Sequence, residues 1–416
     1  MIKSAFMMLL VVQLDTVPSR ADLTLLEYCQ SVSDYSHELL IADAVERGAE
    51  ADMRRSRKDY LPLVTFDREL NLDFSDNVTG RKWGWLTRAE VSQPIYNGGA
   101  VRAEANRAEL ALEVARRNVE SSQLDVEYEA INAYWSLSRA EIYCRAMADY
   151  YNIVKSLNEV VARRFDEGYI SKSDLLQVSS RLIDAEYQLS AAEQSRLVAL
   201  HNFNLLRGVD PNTEVSLAES IFDTMYMPMR MSIEDVVTRR PDFQSAMLNV
   251  ESSFWGIRAA RAKFLPQINV GMYALMQPNM PHVKGGGIDF NWGAVVSFST
   301  PIFHFGERRQ SVLSARSRHE EAQYALDDVR DNISLQESDG WTNLQSTHAR
   351  VEAVRRNLDV ARENLDISTY SYHEGLATIL DVLQAQLSWL QIYTNAIAAQ
   401  YDYAMAIAAY QYITAD

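Results

Sequence analysis

The chain repeats itself at a spacing of about 207 residues. Three short motifs occur twice, in the same order: YLP (60–62) as FLP (264–266), QPIYNGG (93–99) as TPIFHFG (300–306), and DEGYISKSDLLQ (166–177) as HEGLATILDVLQ (373–384). The last two pairs are offset by 207 residues and the first pair by 204. Three landmarks in one order indicate a duplicated unit, so each half of the chain is expected to carry the same series of elements.

Apolar and polar residues alternate after each YLP-type motif. In the stretch VTFDRELNLDF, one face is polar, and the other face, broken only by Arg68, holds Val64, Phe66, Leu70, Leu72 and Phe74. A period of two is that of a β-strand with one apolar face. The same pattern predicts four strands in all, at about residues 62–75, 82–94, 266–276 and 289–301.

These strands have the features of membrane-barrel strands. Each runs about ten residues with Trp or Phe near its ends, as in outer membrane barrels with aromatic girdles. A small antiparallel sheet on a soluble core is the alternative, but no sequence is left over to cover the apolar face. Four strands cannot close a barrel, and open edges are not tolerated in lipid, so copies must associate. Two copies give eight strands with a filled interior, whereas three give twelve strands and an open bore, which favours a cyclic trimer.

Helical periodicity dominates the rest of the chain. Only 16 Gly and 10 Pro occur in 416 residues, which favours long uninterrupted helices. Helices are predicted at about 23–60, 100–165, 173–207, 242–264, 307–372 and 380–412. The two longest would each extend roughly 100 Å, with the shorter ones stacked end to end alongside them.

The DEGY and HEGL motifs predict tight turns between helices. Gly168 and Gly375 lie where a helix-ending left-handed residue is favoured. A capping box follows each turn: the first ends in Asp174, and the second runs from Thr378 to Asp381. Each half is therefore expected to form a long helical hairpin that reverses at its far tip.

Composition and motifs exclude several functional classes. A formal charge of -16 argues against a nucleic-acid partner, because a phosphate backbone requires clusters of Lys and Arg. No nucleotide-binding loop, zinc-protease motif or nucleophile elbow occurs, and the histidines lack metal-ligand spacing. The sequence therefore predicts neither an enzyme nor a cofactor. Cys29 and Cys144 make no disulfide framework and are predicted to be free thiols.

The N-terminus is organised as a secretory signal. Lys3 precedes an apolar run at residues 5–12, and small residues near Ala21 suit cleavage there. The run is too short to span a bilayer, which takes about 20 residues. The predicted division of the chain is a signal peptide at 1–21 and an exported part at 22–416, with repeats 22–207 and 236–416 joined by an equatorial segment, 208–235.

Five stretches together resemble the TolC-like outer membrane factor family, the exit ducts of efflux pumps and type I secretion systems in double-membraned bacteria. They are YLP (60–62), QPIYNGG (93–99), RFDEGYISKSDLLQ (164–177), RRPD (239–242) and YHEGLATILDVLQAQ (372–386). Each is weak alone, but the five occur in order across two repeats. The resemblance covers essentially all residues from Leu23 on.

This resemblance implies both a fold and a function. The fold is mainly α with a β-barrel portion: a trimeric 12-stranded outer membrane β-barrel, four strands per protomer, continued by a long periplasmic α-helical coiled-coil barrel. The function is a passive duct in the outer membrane that needs no cofactor. Its periplasmic tip opens when a periplasmic adaptor (membrane fusion) protein and an inner membrane pump, of the RND or ABC type, dock. Outer membrane lipid is a further expected partner, and nucleic acid is not.

The resemblance also implies gate residues at the tip. Asp381 matches an aspartate that lines the constriction, and Tyr372 matches a tyrosine of the network that holds it shut. Gln384 stands where some members have a second aspartate, and Ala377 where some have a latch arginine, which leaves fewer charges at the gate. Two alternatives stay open: Asp381 only caps its helix, as its twin Asp174 does, and Tyr372 only packs between helices.

Two other functional classes compete with the export duct. A non-channel periplasmic coiled-coil scaffold with an accessory sheet is the runner-up. An enzyme ranks third, because nothing in the chain groups reactive side chains. Dependence on detergent, together with single-channel conductance, separates the duct from the scaffold.

Overall fold

A computed structural model describes residues 22–72, 83–278 and 287–415. The predicted signal peptide, the turn predicted at residues 75–81, and most of the Gly285–Gly287 loop lie outside these ranges. None of the helices within them combines the length and the apolar character needed to cross a membrane.

Eight helices carry most of the described chain. Their bounds are α1 Leu25–Tyr35, α2 His37–Lys58, α3 Ala100–Asp166, α4 Lys172–Leu206, α5 Ile233–Arg239, α6 Pro241–Ala262, α7 Glu307–His373 and α8 Ile379–Thr414. Helices α3 and α7 have 67 residues each, and their ends are displaced by the same 207 residues as the sequence motifs. The duplication inferred from short motifs therefore extends to the lengths of the long helices.

The helix predictions were wrong in two places. The first helix is interrupted at Ser36, whose ψ of 119° is outside the helical range, so residues 25–58 form two helices. The helix α5 was not predicted; its start is capped by Ser232, which accepts a hydrogen bond from the N–H of Asp235. It ends at Arg239 because the next residue, Arg240, precedes Pro241, and a residue before proline is disfavoured in the helical conformation; Arg240 has ψ 124°.

The strands form one antiparallel sheet in the order β1-β2-β3-β4. Their bounds are β1 Leu63–Leu72, β2 Trp83–Asn97, β3 Gln267–Pro278 and β4 Ile288–Ser299. Strand β2 runs past the predicted end at 94 through a register shift between Pro94 and Tyr96. Proline lacks an N–H for the ladder, which is why the irregularity falls at this position.

One face of the sheet is mainly apolar across all four strands, with Arg68 and Thr87 as the exceptions that pair on β1 and β2. A row of paired residues runs from Phe66 through Ala89 and Ala274 to Trp292. Phe66 is 71% exposed and Trp292 72%, so the described chain does not cover this face. The strands β1 and β4 form the two edges of the sheet.

The passage from β2 into α3 is a close contact of backbones. Gly98 has φ 65°, and a Cβ at this position would lie 2.6 Å from the carbonyl oxygen of Ala262 and 2.7 Å from Cβ of Leu265. Only glycine fits there. Its counterpart in the second repeat, Phe305, has φ 43° with a side chain that is 93% exposed.

The chain forms two compact units, each drawing on both repeats. Counting only the described residues, we call them the tip unit, made of residues 22–36, 127–228 and 344–408, and the sheet unit, made of residues 37–72, 83–126, 229–278, 287–343 and 409–415. The long helices α3 and α7 contribute to both units. The compact units therefore differ from the two sequence repeats.

Each unit has its own anchoring core. In the tip unit the rings of Tyr28 and Phe203 stack with centroids 3.9 Å apart, and the hydroxyl of Tyr134 donates to Glu219 (2.6 Å). In the sheet unit Arg230 donates two hydrogen bonds of 2.9 Å to Glu337, whose side chain is fully buried. The hydrogen bond to Glu219 holds its segment against α3 in the tip unit, and the ion pair of Arg230 holds its segment against α7 in the sheet unit.

Candidate functional site

The two hairpins of the tip unit reverse through the same hydrogen-bonded turn. After α3, the N–H of Gly168 donates to the carbonyl of Phe165 (2.9 Å), and the N–H of Tyr169 donates to that of Arg164 (2.9 Å). The matching bonds after α7 run from Gly375 to Tyr372 (3.1 Å) and from Leu376 to Ser371 (2.8 Å). Gly168 has φ 78° and Gly375 φ 73°, the left-handed conformation that this helix ending requires.

Each returning helix begins with a reciprocal cap. Oδ2 of Asp381 accepts from the N–H of Thr378 (2.8 Å) and from its hydroxyl (2.7 Å), and the N–H of Asp381 donates back to that hydroxyl (3.3 Å). The first hairpin has the same arrangement between Ser171 and Asp174. The hydrogen bond from the Thr378 hydroxyl, and to a smaller extent the one from its N–H, lower the pKa of Asp381. Its carboxylate is therefore ionised at neutral pH.

A small apolar cluster, the tip cluster, joins the two hairpins just behind their turns. Its buried members come from all four helices: Leu157 and Val161 of α3, Val178 of α4, Tyr372 of α7, and Ile379, Val382 and Leu383 of α8. Val161, Val178 and Val382 are fully buried, and Tyr372 is only 5% exposed. The tips are therefore held together mainly by burial of these side chains.

One cation is added to this cluster. The guanidinium of Arg164 lies over the ring of Tyr372, 4.8 Å from its centroid. Arg164 belongs to α3 and Tyr372 to α7, so the contact links the two hairpins. A guanidinium over a phenol ring is attracted by the negative face of the ring.

Gln384 lies in a groove beside the tip cluster. The groove, of about 580 Å³, is lined by Gln177, Ser180, Arg181 and Asp184 of α4 and by Leu380, Leu383, Gln384 and Leu387 of α8. Gln177 is the repeat twin of Gln384, so both members of the pair line one groove. Arg181 and Asp184 form an ion pair at 3.6 Å. The groove thus carries both signs of charge although Gln384 itself is neutral.

The structure brings some of the predicted site residues together and separates others. Tyr372 packs against the start of α8, the helix that also carries Asp381 and Gln384. Asp174 and Gly168 belong to the other hairpin. No sequence pattern indicated the contact from Arg164, because Arg163 and Arg164 are adjacent and only the rotation of α3 decides which of them faces α7.

The described residues form no centre for metal chemistry. Within 22–72, 83–278 and 287–415, no three His, Cys, Asp or Glu side chains group so as to hold a metal ion. Cys29 and Cys144 are free thiols. Burial raises the pKa of Cys29 to about 11, which disfavours the reactive thiolate.

Comparison with known proteins assigns the chain to a family. The family described as outer membrane efflux protein matches residues 29–209 and 232–413, which together include both repeats. The unmatched residues between these ranges fall in the predicted equatorial segment. The expected family is confirmed.

Relatives align along most of the chain at low identity. Nodulation protein T of Rhizobium leguminosarum bv. trifolii is 23% identical over 406 residues, covering 89% of this chain and 84% of that protein. Protein CyaE of Bordetella pertussis is 22% identical over 376 residues, covering 89% and 79%. Alkaline protease secretion protein AprF of Pseudomonas aeruginosa is 24% identical over 339 residues, covering 77% and 68%.

Solved structures share the fold. CusC superposes with a TM-score of 0.82 at 16% identity, over 95% of this chain and 92% of that one. VceC of Vibrio cholerae superposes with a TM-score of 0.78 at 18% identity, over 94% and 95%. The expected fold class, that of the TolC-like channels, is confirmed. The chain therefore belongs to the outer membrane efflux protein family, and it is an exit duct of the outer membrane.

Proposed function

We propose that three copies of this chain form one passive duct, gated at the helical tips and loaded by an adaptor protein and an inner membrane pump. Energy comes from the pump, since the described residues contain no grouped reactive side chains. The proposal includes the division into a signal peptide, two repeats and an equatorial segment. It replaces the alternative of a non-channel scaffold.

The observation that carries the proposal is the largely apolar face that extends over all four strands of the sheet. Between β1 and β2, four rows of paired residues keep apolar side chains on one face, which is interrupted at the Arg68–Thr87 pair. The charged residues Asp67, Arg88 and Glu90 lie on the other face. A face of this kind is stable in lipid, with the polar face toward a wet bore. Strands β1 and β4 each leave one row of backbone N–H and C=O groups unpaired within the sheet. Such groups are costly in lipid, so a further copy must pair with each edge.

At the tip, we assign the gate to Asp381, Tyr372 and Gln384. In a cyclic trimer, three ionised Asp381 side chains would surround one axis and attract cations. Tyr372, held under Arg164, would keep the hairpins closed. Gly168, Gly375, Asp174 and Thr378 fix the two turns on which this constriction depends.

The names of the relatives support partners of two kinds. One relative is named for alkaline protease secretion and another, TtgC of Pseudomonas putida, as a probable efflux pump outer membrane protein. A duct with a wide bore discriminates little among its contents, so cargo choice is assigned to the pump. We therefore propose an ABC-type or RND-type pump with its adaptor as the partner, and outer membrane lipid as the surroundings of the sheet.

Planar-bilayer recording of the detergent-purified chain tests the duct. The expected result is a trimer that inserts and conducts. Val296→Asp, on the apolar face, should abolish insertion, whereas the neighbouring Ser297→Asp, on the opposite face, should leave it intact. A protein that stays monomeric in water and never conducts would overturn the proposal in favour of the scaffold.

A further inference from the structure

A second groove lies in the tip unit, farther from the turns than the groove that holds Gln384. Its volume is about 960 Å³, and helices α3, α4 and α8 line it. We call it the arginine groove and define it by Asn132 and Arg139 of α3, Val198 and Asn202 of α4, and Ile397 of α8. Sites for small organic molecules have volumes of about 300 to 1,000 Å³, so the groove is large enough to hold one.

The arginine groove and the groove that holds Gln384, here the tip groove, lie on the same side of α4 and α8. On α8, Leu380 and Leu387 line the tip groove and Thr394 lines the arginine groove, in steps of seven residues. On α4, Asp184 of the tip groove and Val198 of the arginine groove are two such steps apart. Seven residues are close to two helical turns, so these residues share one face of each helix.

The other side of these helices is covered by the chain itself. The N–H of Ile221 donates to Oγ of Ser138 on α3 (3.2 Å), and the ring of Phe222 stacks on that of Tyr393 on α8, with centroids 6.4 Å apart. The arginine groove lies on the side that this segment leaves open. In the proposed duct Gln384 faces the bore, so the arginine groove faces it too, about 20 Å farther along α8.

Arg139 supplies the positive charge of the groove. Its guanidinium lies 4.3 Å from the ring centroid of Tyr401, and it forms no ion pair in the part of the chain that the structure describes. Glu129 also lines the groove, but it is ten residues away on α3, about 15 Å, which is too far to neutralise Arg139. The guanidinium therefore has hydrogen-bond donors left for an anion.

Asn132 adds neutral donors beside this cation. Its Oδ1 accepts hydrogen bonds from the hydroxyl of Tyr401 (2.9 Å) and from Oγ of Ser136 (3.2 Å). Its amide N–H groups donate to no atom of the described residues. Tyr401 thus positions two donor groups of the groove, Arg139 through its ring and Asn132 through its hydroxyl.

The remaining lining of the groove is largely apolar. Val198 and Leu205 of α4 line it with side chains that are 53% and 64% exposed, and Ile397 lines it from α8. Among the described residues that line the groove, only Arg139 and Glu129 carry a charge. Donors beside apolar walls suit a molecule that has an acid group on an apolar body.

We propose that the arginine groove binds an amphipathic organic anion on the wall of the bore, with its acid group at Arg139 and Asn132 and its apolar body against Val198 and Ile397. The inference rests on the duct proposed above and adds a class of cargo that the wall recognises. With a formal charge of -16 the chain repels anions in general, so such a cargo requires a local cation. The pump still chooses the cargo, and the groove retains an anion that has entered the bore.

Calorimetric titration of the full-length protein tests the site, in a non-ionic detergent so that no anionic amphiphile competes. The probe is naphthalene-2-sulfonate, and the matched probe is 2-naphthol, which has the same rings and no charge at neutral pH. Arg139→Gln should weaken binding of the sulfonate about tenfold, because a charge-assisted contact is lost. It should leave binding of the naphthol unchanged.

Two further variants serve as controls. Arg145 belongs to the same helix but lies outside the groove lining and pairs with Glu141 at 3.8 Å. Arg145→Gln should therefore bind both probes as the parent does. Val198→Trp, which places a large side chain in the groove, should weaken binding of both probes.

Planar-bilayer current tests the position of the groove on the bore. The sulfonate should reduce the conductance of the parent and of Arg145→Gln at concentrations that leave Arg139→Gln unaffected. A parent that binds no sulfonate, or binds it no better than Arg139→Gln does, would overturn the site and leave the duct standing. Binding that depends on Arg139 without any block would overturn its place on the bore. A chain that binds the sulfonate through Arg139 but never conducts would overturn the duct and leave the groove as a binding site.

Discussion

The guanidinium of Arg164 rests on the ring of Tyr372, 4.8 Å from its centroid, and connects the two hairpins at their tips. The contact adds to a cluster of only seven buried side chains. A tip held by so few groups can be loosened by a single substitution. Position 377, where some relatives are expected to place an arginine, is alanine here, so Arg164 is the cation that the structure offers to Tyr372.

Arg164→Ala is expected to favour the open duct. A partly exposed cation–π contact contributes about 1 kcal/mol, so its loss should raise the open-to-closed ratio roughly fivefold. Single-channel recordings measure this ratio. Arg163→Ala removes the same charge from the exposed neighbour and should change little. Tyr372→Phe keeps the ring and should also behave like the parent. If that variant opened the duct, the hydroxyl of Tyr372, and not its ring, would be the group that holds the hairpins closed.

Asp381→Asn is expected to reduce the preference of the duct for cations, because it would remove the ring of three carboxylates proposed for the trimer. The twin substitution Asp174→Asn removes an equivalent helix cap and serves as the control. Reversal potentials in a salt gradient measure the preference. Equal effects of the two variants would mean that Asp381 acts only as a cap.

Thr378→Val should raise the pH at which the Asp381 carboxylate becomes protonated. Because hydrogen bonds from Thr378 lower the pKa of Asp381, the cap is fully present above the ordinary value of 3.8 and is lost as pH falls below it. Without the hydroxyl, the pKa returns toward that value, so cation preference should fail at a higher pH. Recordings at stepwise lower pH compare the two proteins, and coincident profiles would contradict the assignment.

Tyr134→Phe is expected to destabilise the tip unit by about 2 kcal/mol. It removes one of two donors to Oε2 of Glu219, the other being the N–H of Leu25, and it leaves the N–H of Glu219 without its acceptor. Burial, helped by that hydrogen bond, raises the pKa of Tyr134 above its ordinary 10.0. Stability is then fully present below about pH 10 and falls as pH rises further, since the unfolded chain releases a proton that the fold retains.

Denaturant unfolding between pH 8 and pH 11 measures both effects. The alkaline fall should be shallower in Tyr134→Phe than in the parent. Tyr187→Phe, at a side chain that is 74% exposed, is the control and should follow the parent. An unchanged alkaline slope in Tyr134→Phe would show that another group is responsible.

Arg230→Ala is expected to lower the unfolding temperature clearly, because Glu337 would remain as a buried charge without its bidentate partner. Arg54→Ala, which breaks a solvent-exposed ion pair with Glu50, should have little effect. The double variant Arg230→Met/Glu337→Leu should recover part of the loss. Thermal unfolding followed by circular dichroism ranks the three, and a double variant less stable than Arg230→Ala would contradict this account.

Much of the fold could be predicted because each motif that marks an element occurs in both repeats. The hairpin turns at Gly168 and Gly375 carry strong local signals, and the alternation in the strands fixes which face is apolar. The break at Ser36 could not be predicted, since no proline or glycine marks it. The contact of Arg164 with Tyr372 depends on how two distant helices are rotated, which no local pattern records. Local rules therefore specify the elements, and packing between repeats specifies the site.

The close packing at Gly98 means that the two repeats differ in which substitutions they tolerate at this equivalent position. Any side chain there would collide with backbone at Ala262, whereas the matching position, Phe305, already holds a large residue pointing outward. A saturation library should tolerate only glycine at the first corner and many residues at the second. The two halves, although duplicates of one unit, are therefore no longer interchangeable. A tandem chain built from two second halves would place a phenylalanine at the first corner, where its side chain would clash with the backbone of the following strand pair's entry.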